Sequence, residues 1–405
     1  MLYFDANATT PLHPSARAAW LHAQDVAWGN TSAPSAPGVR AHALLEDCRS
    51  RLTARLPAGM RVVFSSGATE GNNAVLSHAA RNAGRAGGAF AAVSALEHAS
   101  VAVPAAALFP KPPLVIPATP EGVVDIFAAE ALLRDIAAKA QPLPALFSLM
   151  AVNNETGVLQ PVQAARALAS RHGIPLHCDA SQAFGKLAPE QLLEMLAGCD
   201  FVTGCAHKFG GPKGVGFLAF NPDAHPGFTM QAGGGQENHR RAGTPDVAGV
   251  AAMLAALEAT DADFVPATDG TGDGGGAPKV EAMSAARLRF EERIRAEIHG
   301  SFINGAAAGR VWNTVSLVLP AHGNLRWLKQ LERRGFVAAA GPACASGEGG
   351  LPSVSRVLLA IGLSPAEARR TLRLSAWRDM PAGGWDDLAN ALVEVHGALG
   401  PAESF

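Results

Sequence analysis

One local pattern occurs five times along this chain: a short apolar run, typical of a buried strand, leads directly into a cluster of polar and glycine residues. Alternating strands and helices predict an α/β fold with a mostly parallel sheet and helices on both of its faces. Ligands of such sheets bind at the edge where the carboxyl ends of the strands meet. The polar clusters are therefore predicted to form one site at that edge. The apolar runs are 61–64, 89–95, 144–152, 174–178 and 201–204.

The composition argues against several classes of function. The chain has 405 residues, and its formal net charge of -2 gives no electrostatic attraction to nucleic acid or to an anionic membrane. No apolar run approaches the roughly 20 residues that span a bilayer, and the first residues lack the features of a signal peptide. The five cysteines include no C-x-x-C pair, so neither a disulfide framework nor a zinc site is predicted. We therefore predict a cytoplasmic protein that binds no nucleic acid, membrane or metal.

Two domains are predicted from the distribution of these patterns. Residues 16–260 contain the repeated units and form the predicted large α/β domain. Residues 1–15 and 279–405 mix strands and helices, which predicts a smaller α+β domain. Residues 261–278 are of low complexity and rich in glycine, which is typical of a flexible insertion.

The polar clusters carry the groups that a pyridoxal phosphate site requires. Lys208 follows the run 201–204 in a Gly- and Pro-rich turn, where apolar and cationic neighbours make an amine nucleophilic. Asp179 is placed to keep a pyridine nitrogen protonated, and His98 offers a flat ring that can stack and move protons. Thr69 opens a predicted helix whose free N–H groups suit a phosphate. Alone, each residue has a plainer interpretation, such as a surface lysine, a helix cap or a structural histidine.

Two further stretches are distinctive. Cys344 lies in a loop rich in glycine at 341–350, where an exposed thiol suits a mobile nucleophile, although an incidental loop cysteine would look the same. The segment 373–378 places two arginines at the end of a predicted strand, and one guanidinium could bind a substrate carboxylate bidentately. The stretch 233–244 is either a bare surface loop or brings an arginine and a threonine toward a phosphate.

Taken together, these motifs resemble those of the pyridoxal-phosphate-dependent cysteine desulfurases in the class V aminotransferase group. The resemblance runs nearly from end to end, and the conjunction of motifs is specific. Two departures are visible: Cys205 stands where the family usually has a phosphate-binding serine, and Trp377 where a small residue is usual. The motifs that carry the resemblance are 3–11, 66–73, 97–98, 153–157, 177–180 and 207–208.

The resemblance implies a role for each candidate residue. Lys208 would carry the cofactor covalently, Asp179 would partner the pyridine nitrogen, and His98 would stack on the ring and transfer protons. Cys344 would accept the sulfur, and Arg378 would bind the substrate carboxylate. The other implied ligands are Asn154 and Gln182 near the ring oxygen, with Asn154 also near the substrate, and Ala68, Thr69, Cys205, His207 and the other subunit's Thr244 around the phosphate.

The resemblance also implies a fold-type I homodimer that binds pyridoxal 5'-phosphate and converts L-cysteine to L-alanine. The sulfur would remain as a persulfide on Cys344 and pass to an acceptor protein, either an iron–sulfur scaffold or a sulfur carrier. One alternative is a selenocysteine lyase or another class V enzyme, against which the Cys344 loop argues. The other is a catalytically weak interaction or regulatory homologue, against which the intact lysine, aspartate and histidine argue.

Overall fold

The structure is a computed structural model that describes residues 1–83, 89–266, 278–341 and 354–400. The strands are β1 Leu2–Tyr3, β2 Arg61–Ser65, β3 Ala92–Ser94, β4 Leu114–Ile116, β5 Phe147–Met150, β6 Leu176–Asp179, β7 Phe201–Cys205, β8 Gly216–Phe220, β9 Phe302–Ile303, β10 Thr314–Val318, β11 Phe336–Val337 and β12 Thr371–Ser375. The helices are α1 Pro14–Val26, α2 Ala36–Thr53, α3 Ala68–Ala83, α4 Ala99–Leu108, α5 Ile126–Ala138, α6 Val162–Arg171, α7 Pro189–Leu196, α8 Gln236–His239, α9 Val247–Asp261, α10 Lys279–Glu297, α11 Asn324–Arg333, α12 Arg356–Ala360, α13 Pro365–Ala368 and α14 Gly384–Leu399.

The main sheet has seven strands in the order β2-β8-β7-β6-β5-β3-β4. Strands β4, β3, β5, β6 and β7 run parallel, and β8 lies antiparallel between β7 and β2. This mixed, mostly parallel sheet confirms the predicted α/β class. Each of the five predicted apolar runs contains or overlaps a strand of this sheet, with β3 and β5 shorter than their runs. The strand ends that carry the polar clusters therefore lie at one edge.

Side-chain alternation explains why both faces of the sheet are covered. Along β2, Val62 and Phe64 point into the larger hydrophobic cluster, while Val63 between them points into a second cluster on the opposite face. Neighbouring residues of a strand face opposite sides, so a strand with apolar residues at every position needs partners on both sides. Helix α2 covers the sheet with a buried stripe in which Leu45, Cys48 and Leu52 recur at helical spacing.

The first and last parts of the chain share a third hydrophobic cluster. Strands β12, β10 and β9 form an antiparallel sheet, and β1 pairs in parallel with β11. Phe4 packs edge to face on Trp385, with 4.9 Å between their ring centroids, and thereby ties the N-terminal segment to α14. The predicted domain boundaries themselves stay a prediction. In the described ranges, no helix is long and apolar enough to cross a membrane.

Candidate active site

A cavity of about 500 Å³ opens at the edge where the strands β2, β5, β6 and β7 end. It falls within the 300–1,000 Å³ range of small-molecule sites. Its lining is contributed by loops that follow these strands and by the segment after β1. The cavity brings together nine of the residues predicted from sequence: Ala68, Thr69, His98, Asn154, Asp179, Gln182, Cys205, His207 and Lys208.

Lys208 lies at the end of a single 3-10 turn that follows β7. Its Nζ donates hydrogen bonds to the backbone carbonyls of Asn7 and Ala8, the latter at 2.8 Å. Burial lowers the pKa of this lysine below its ordinary value, and the nearby Arg373 lowers it further, against the opposing effects of Cys205 and Asp179. A lower pKa leaves more of the amine neutral and nucleophilic near pH 7.

Asp179 is the last residue of β6, and only 6% of it is exposed. Its Oδ2 accepts a hydrogen bond from Asn72 Nδ2 at 2.8 Å, and its Oδ1 accepts two from Ser181, from the backbone N at 3.0 Å and from Oγ at 2.6 Å. These donors hold the carboxylate in one orientation at the cavity wall.

His98 lies directly before α4 and caps it. The backbone N of Ser100 donates to its Nδ1 at 3.1 Å, and Ser100 Oγ lies 2.8 Å from the same nitrogen. The ring is half-buried and forms part of the cavity wall. Burial lowers the pKa of this histidine, so its ring is mainly neutral near pH 7.

The start of α3 forms a cradle for an anion. Gly67 has a φ of +148°, and a Cβ placed on it would meet no atom within 4 Å, so the space beside it is open. Free N–H groups at a helix N-terminus attract phosphate. His207 also lines this cavity, and burial together with Lys208 and Lys213 lowers its pKa to about 4.

Cys205 is almost completely buried in the cavity wall. Its burial raises the pKa of the thiol to about 11, so the group stays protonated near pH 7. A thiol is a weaker hydrogen-bond donor than a hydroxyl. Cys205 therefore lines the cavity with a weaker donor than the serine that the resemblance implies at this position, and its role beside the phosphate stays a prediction.

The structure does not bring Arg378 into this cavity, which is at odds with its predicted role. Its guanidinium donates to Asp263 at 2.8 Å and to the carbonyl of Ala259 at 2.6 Å, and it lies beside Trp377 in a separate small cavity behind Lys208. Arg378 follows the end of β12, whereas Arg373 lies within that strand. The register of the strand directs Arg373, and not Arg378, toward the cavity.

Arg373 is one of three functional candidates that the sequence reasoning missed. Only 3% of it is exposed, and it donates to Asp5 Oδ1 at 2.7 Å. Its Nε has no hydrogen-bond partner among the described residues. The signal was present in the sequence, because Arg373 belongs to the same two-arginine segment as Arg378.

The other two are Asn7 and Lys186, which are both buried. Lys186 Nζ donates to Asn7 Oδ1 at 2.6 Å and to Gln182 Oε1, while Gln182 Nε2 donates to the carbonyl of Asn7 at 3.0 Å. Burial lowers the pKa of Lys186 well below its usual range, and the charges of Lys208 and Arg373 lower it further. The sequence signal for Asn7 was its place in the motif 3–11, which contributes to the resemblance. For Lys186 the available signal was its spacing of four residues from Gln182.

Besides Arg378, two predicted site residues are not placed in the cavity. Thr244 is exposed and does not line it within one chain, so its contribution to the site of a partner subunit stays a prediction. Cys344 lies outside the described residues, and so does most of its loop.

The chain is similar in sequence and in fold to known proteins. The family model "Aminotransferase class-V" matches residues 2–270. Selenocysteine lyase of Homo sapiens is 32% identical over 97% of this chain and 92% of its own length. An IscS-like cysteine desulfurase of Mycobacterium tuberculosis is 31% identical over 93% of this chain and 91% of its own length. The solved NifS-like protein of Rickettsia africae has the same fold, with a TM-score of 0.79 and 24% identity over 98% of this chain and 99% of that one.

The chain belongs to the class V aminotransferase family. It is a pyridoxal-phosphate-dependent class V enzyme of the cysteine desulfurase and selenocysteine lyase group. The fold and the family that the sequence predicted are thereby confirmed.

The residues of this class V enzyme fit the family's cofactor. A pyridoxal 5'-phosphate needs an anion cradle, a flat neighbour, a carboxylate and an amine. The cavity offers the start of α3, the His98 ring, the oriented Asp179 carboxylate and the Lys208 amine, whose pKa is lowered. All four groups line the same cavity and follow strands of the main sheet.

Substitution of Lys208 tests its role as the attachment point. We expect Lys208→Ala to lose the covalent link to the cofactor that borohydride traps, because the reacting primary amine is gone. Mass spectrometry of the reduced, denatured chain measures this link. Lys213→Ala is the matched control, since Lys213 also lines the cavity but is exposed. A cofactor adduct that persists in Lys208→Ala would contradict the assignment.

Glu97, next to His98, gives the fold a dependence on pH. Only 3% of it is exposed, Oε1 accepts from Met150 N at 2.7 Å, and Oε2 has no partner in the described part of the chain. Burial, and then the Asp179 charge, raise the pKa of Glu97 to about 8 from a value of 4.5. Between these two values the folded chain holds a proton that the unfolded chain has lost. The free energy of unfolding therefore falls as the pH rises through this window.

We expect Glu97→Gln to remove this part of the pH dependence, because glutamine cannot ionise. The urea midpoint of Glu97→Gln should rise relative to that of the unsubstituted chain between about pH 5 and pH 8, the window set by the raised pKa. Comparing the two proteins at each pH cancels the contributions of all other groups. Parallel midpoints across this range would show that Glu97 is ionised in the folded chain.

Proposed function

We propose that this class V enzyme is a cysteine desulfurase that converts L-cysteine to L-alanine and leaves the sulfur as a persulfide on Cys344. The observation that carries the proposal is the gathering of Lys208, Asp179 and His98 around one cavity. Relatives named cysteine desulfurase, such as that of Mycobacterium tuberculosis, support the choice of reaction.

When bound, pyridoxal 5'-phosphate supplies an aldehyde that takes up the substrate amine and a ring that withdraws electrons from Cα. Lys208 would hold the cofactor, and its freed amine would serve as a base. Asp179, fixed in orientation by three hydrogen bonds, would keep a proton on the pyridine nitrogen. The start of α3 with Thr69, together with His207, would hold the phosphate, and Asn154 and Gln182, which also line the cavity, would lie near the ring.

Arg373 takes the role in substrate binding that the sequence assigned to Arg378. Arg373 lines the cavity, and beside its ion pair with Asp5 its guanidinium keeps one nitrogen without a partner among the described residues, so it can receive a carboxylate. Arg378 is ion-paired as well, with Asp263, but it lines the small cavity behind Lys208 and is not placed to meet the substrate. The amino acid is thus held by its carboxylate at Arg373 and by its amine at the cofactor.

Sulfur transfer then requires the Cys344 thiolate. It attacks the substrate sulfur, an S–S bond forms, and the C–S bond breaks with its electron pair passing to the substrate carbon, which is protonated to give alanine. The persulfide then passes to a sulfur-acceptor protein, an iron–sulfur scaffold or a sulfur carrier. A cytoplasmic homodimer, with Thr244 of one subunit beside the phosphate of the other, completes this proposal.

Selenocysteine lyase is a second candidate. Relatives with this name from Homo sapiens and Xenopus laevis are each 32% identical over 97% and 98% of this chain. The two functions differ in the element released, so parallel assays with L-cysteine and L-selenocysteine separate them. Sulfide release with persulfide formation supports the desulfurase, and release confined to selenide supports the lyase.

Cys344 decides whether the enzyme transfers sulfur through its own thiol. We expect Cys344→Ala to bind the cofactor with an unchanged absorbance spectrum but to lose nearly all alanine and persulfide formation, since the acceptor of the sulfur is gone. Alanine and sulfide are measured in the same reaction. Cys48→Ala is the control, because Cys48 is buried in the core and distant in sequence. Turnover of Cys344→Ala at the unsubstituted rate would refute the persulfide mechanism.

The two arginines can be separated by kinetics. We expect Arg373→Lys to raise KM for L-cysteine at least tenfold, because a lysine cannot bind the carboxylate bidentately. Arg378→Lys should change KM by much less, since Arg378 pairs with Asp263 outside the cavity. Cofactor content measured by absorbance shows whether either variant loses the cofactor instead. The reverse order of effects would restore the role predicted for Arg378.

A further inference from the structure

We propose that Asn72 is a positioning residue that joins His98 to Asp179 and holds the neutral His98 proton on Nε2. Asn72 lies on α3, is completely buried and does not line the cavity. Asn72 can therefore affect the reaction only through His98 and Asp179, which do line the cavity. The inference rests on the proposed function for its consequence in catalysis.

The Asn72 amide uses both of its N–H donors and its carbonyl oxygen in hydrogen bonds to buried side chains. Nδ2 donates to Asp179 Oδ2 at 2.8 Å and to Ser100 Oγ at 2.9 Å. Oδ1 accepts from Thr203 Oγ1 at 2.6 Å. The orientation of the amide follows from chemistry, because an ionised carboxylate only accepts and must face the nitrogen. Behind Thr203, the buried His177 continues the network, with Nε2 at 3.3 Å from Thr203 Oγ1.

The donor and acceptor roles in this network determine which atom donates in the hydrogen bond between Ser100 and His98. Ser100 Oγ accepts a hydrogen bond from Asn72 Nδ2, and its own hydroxyl can donate to His98 Nδ1, which lies 2.8 Å away. The backbone N of Ser100 also donates to Nδ1, at 3.1 Å. Two donors point at this nitrogen, so a proton on Nδ1 would oppose them both. The neutral ring is left with its proton on Nε2.

Some charges around the His98 ring raise its pKa and others lower it. Burial lowers the pKa of His98, as do Lys208 and Arg356, whereas Asp179 raises it. Glu97, the preceding residue, is mainly protonated below about pH 8. The hydrogen bonds from Ser100 add to the lowering, because they favour the neutral ring.

The network has a consequence for the proposed reaction. A neutral His98 with Nδ1 engaged and Nε2 protonated has no free lone pair with which to take a proton. It can act as a hydrogen-bond donor through Nε2. Lys208, the other candidate base at this cavity, keeps its lone pair when neutral. The proton of the substrate Cα is thus assigned to Lys208.

Nuclear magnetic resonance of the full-length chain labelled with ¹⁵N-histidine tests this inference without turnover. His98→Gln identifies the His98 signals. We expect Nδ1 to be unprotonated and Nε2 protonated at pH 7. In Asn72→Ala, Ser100 is free to accept from a protonated Nδ1, so the pKa of His98 should rise by roughly half to one unit. Asn73→Ala is the matched control, because Asn73 is adjacent on α3 and its Nδ2 donates only to the carbonyl of Thr69.

A second variant covers the case in which Asn72→Ala does not fold. Ser100→Ala removes the hydroxyl donor to Nδ1 and should raise the His98 pKa in the same direction. A proton on Nδ1 in the unsubstituted chain, or a His98 pKa unchanged in both variants, would overturn the inference. Absence of sulfide release with the expected histidine signals would refute the proposed function and leave the positioning role standing.

Discussion

The parallel register of β5, β6 and β7 is the constraint on which the site depends. Met150, Asp179 and Thr203 are paired across these three strands, so β5 and β6 end level with each other and β7 ends two residues further on, at Cys205. Residues far apart in sequence are thereby brought around one cavity. The apolar residues that bury both faces of the sheet fix this register, because a slip by one residue would exchange the two faces.

The N-terminal segment packs at this edge of the sheet and forms part of the cavity wall. Asn7 Oδ1 accepts a hydrogen bond from Lys186 Nζ, and Asn7 Nδ2 donates to Thr314 Oγ1 at 2.9 Å and to the carbonyl of Asn154 at 3.1 Å. Thr314 lies on the small antiparallel sheet, whereas Asn154 follows β5 of the main sheet. One buried amide thus links the two sheets beside Lys208, which donates to the Asn7 carbonyl. Loss of this amide would leave several buried groups without partners.

Sequence reasoning identified what is local and missed what depends on long-range geometry. Lys208, Asp179 and His98 each follow an apolar run directly, so strand and loop patterns were sufficient to place them at the sheet edge. Arg373 and Arg378 could not be distinguished in this way, because only the register of β12 and the presence of Asp263 decide which one reaches the cavity. Lys186 was missed because its partner, Asn7, is 179 residues away in the sequence.

Repulsion from a neighbouring cationic side chain contributes to the lowered pKa of Lys208, and a lower pKa favours the neutral, nucleophilic amine. Lys208, Lys186 and Arg373 lie close enough that the charges of Lys208 and Arg373 lower the pKa of Lys186, and that of Arg373 lowers the pKa of Lys208. An arginine stays charged at any physiological pH, so the repulsion lowers the pKa values of the two lysines instead. In the proposed reaction a phosphate and then a carboxylate enter the cavity, and each would relieve part of this repulsion. Binding of these anionic groups would therefore be coupled to the protonation of Lys208.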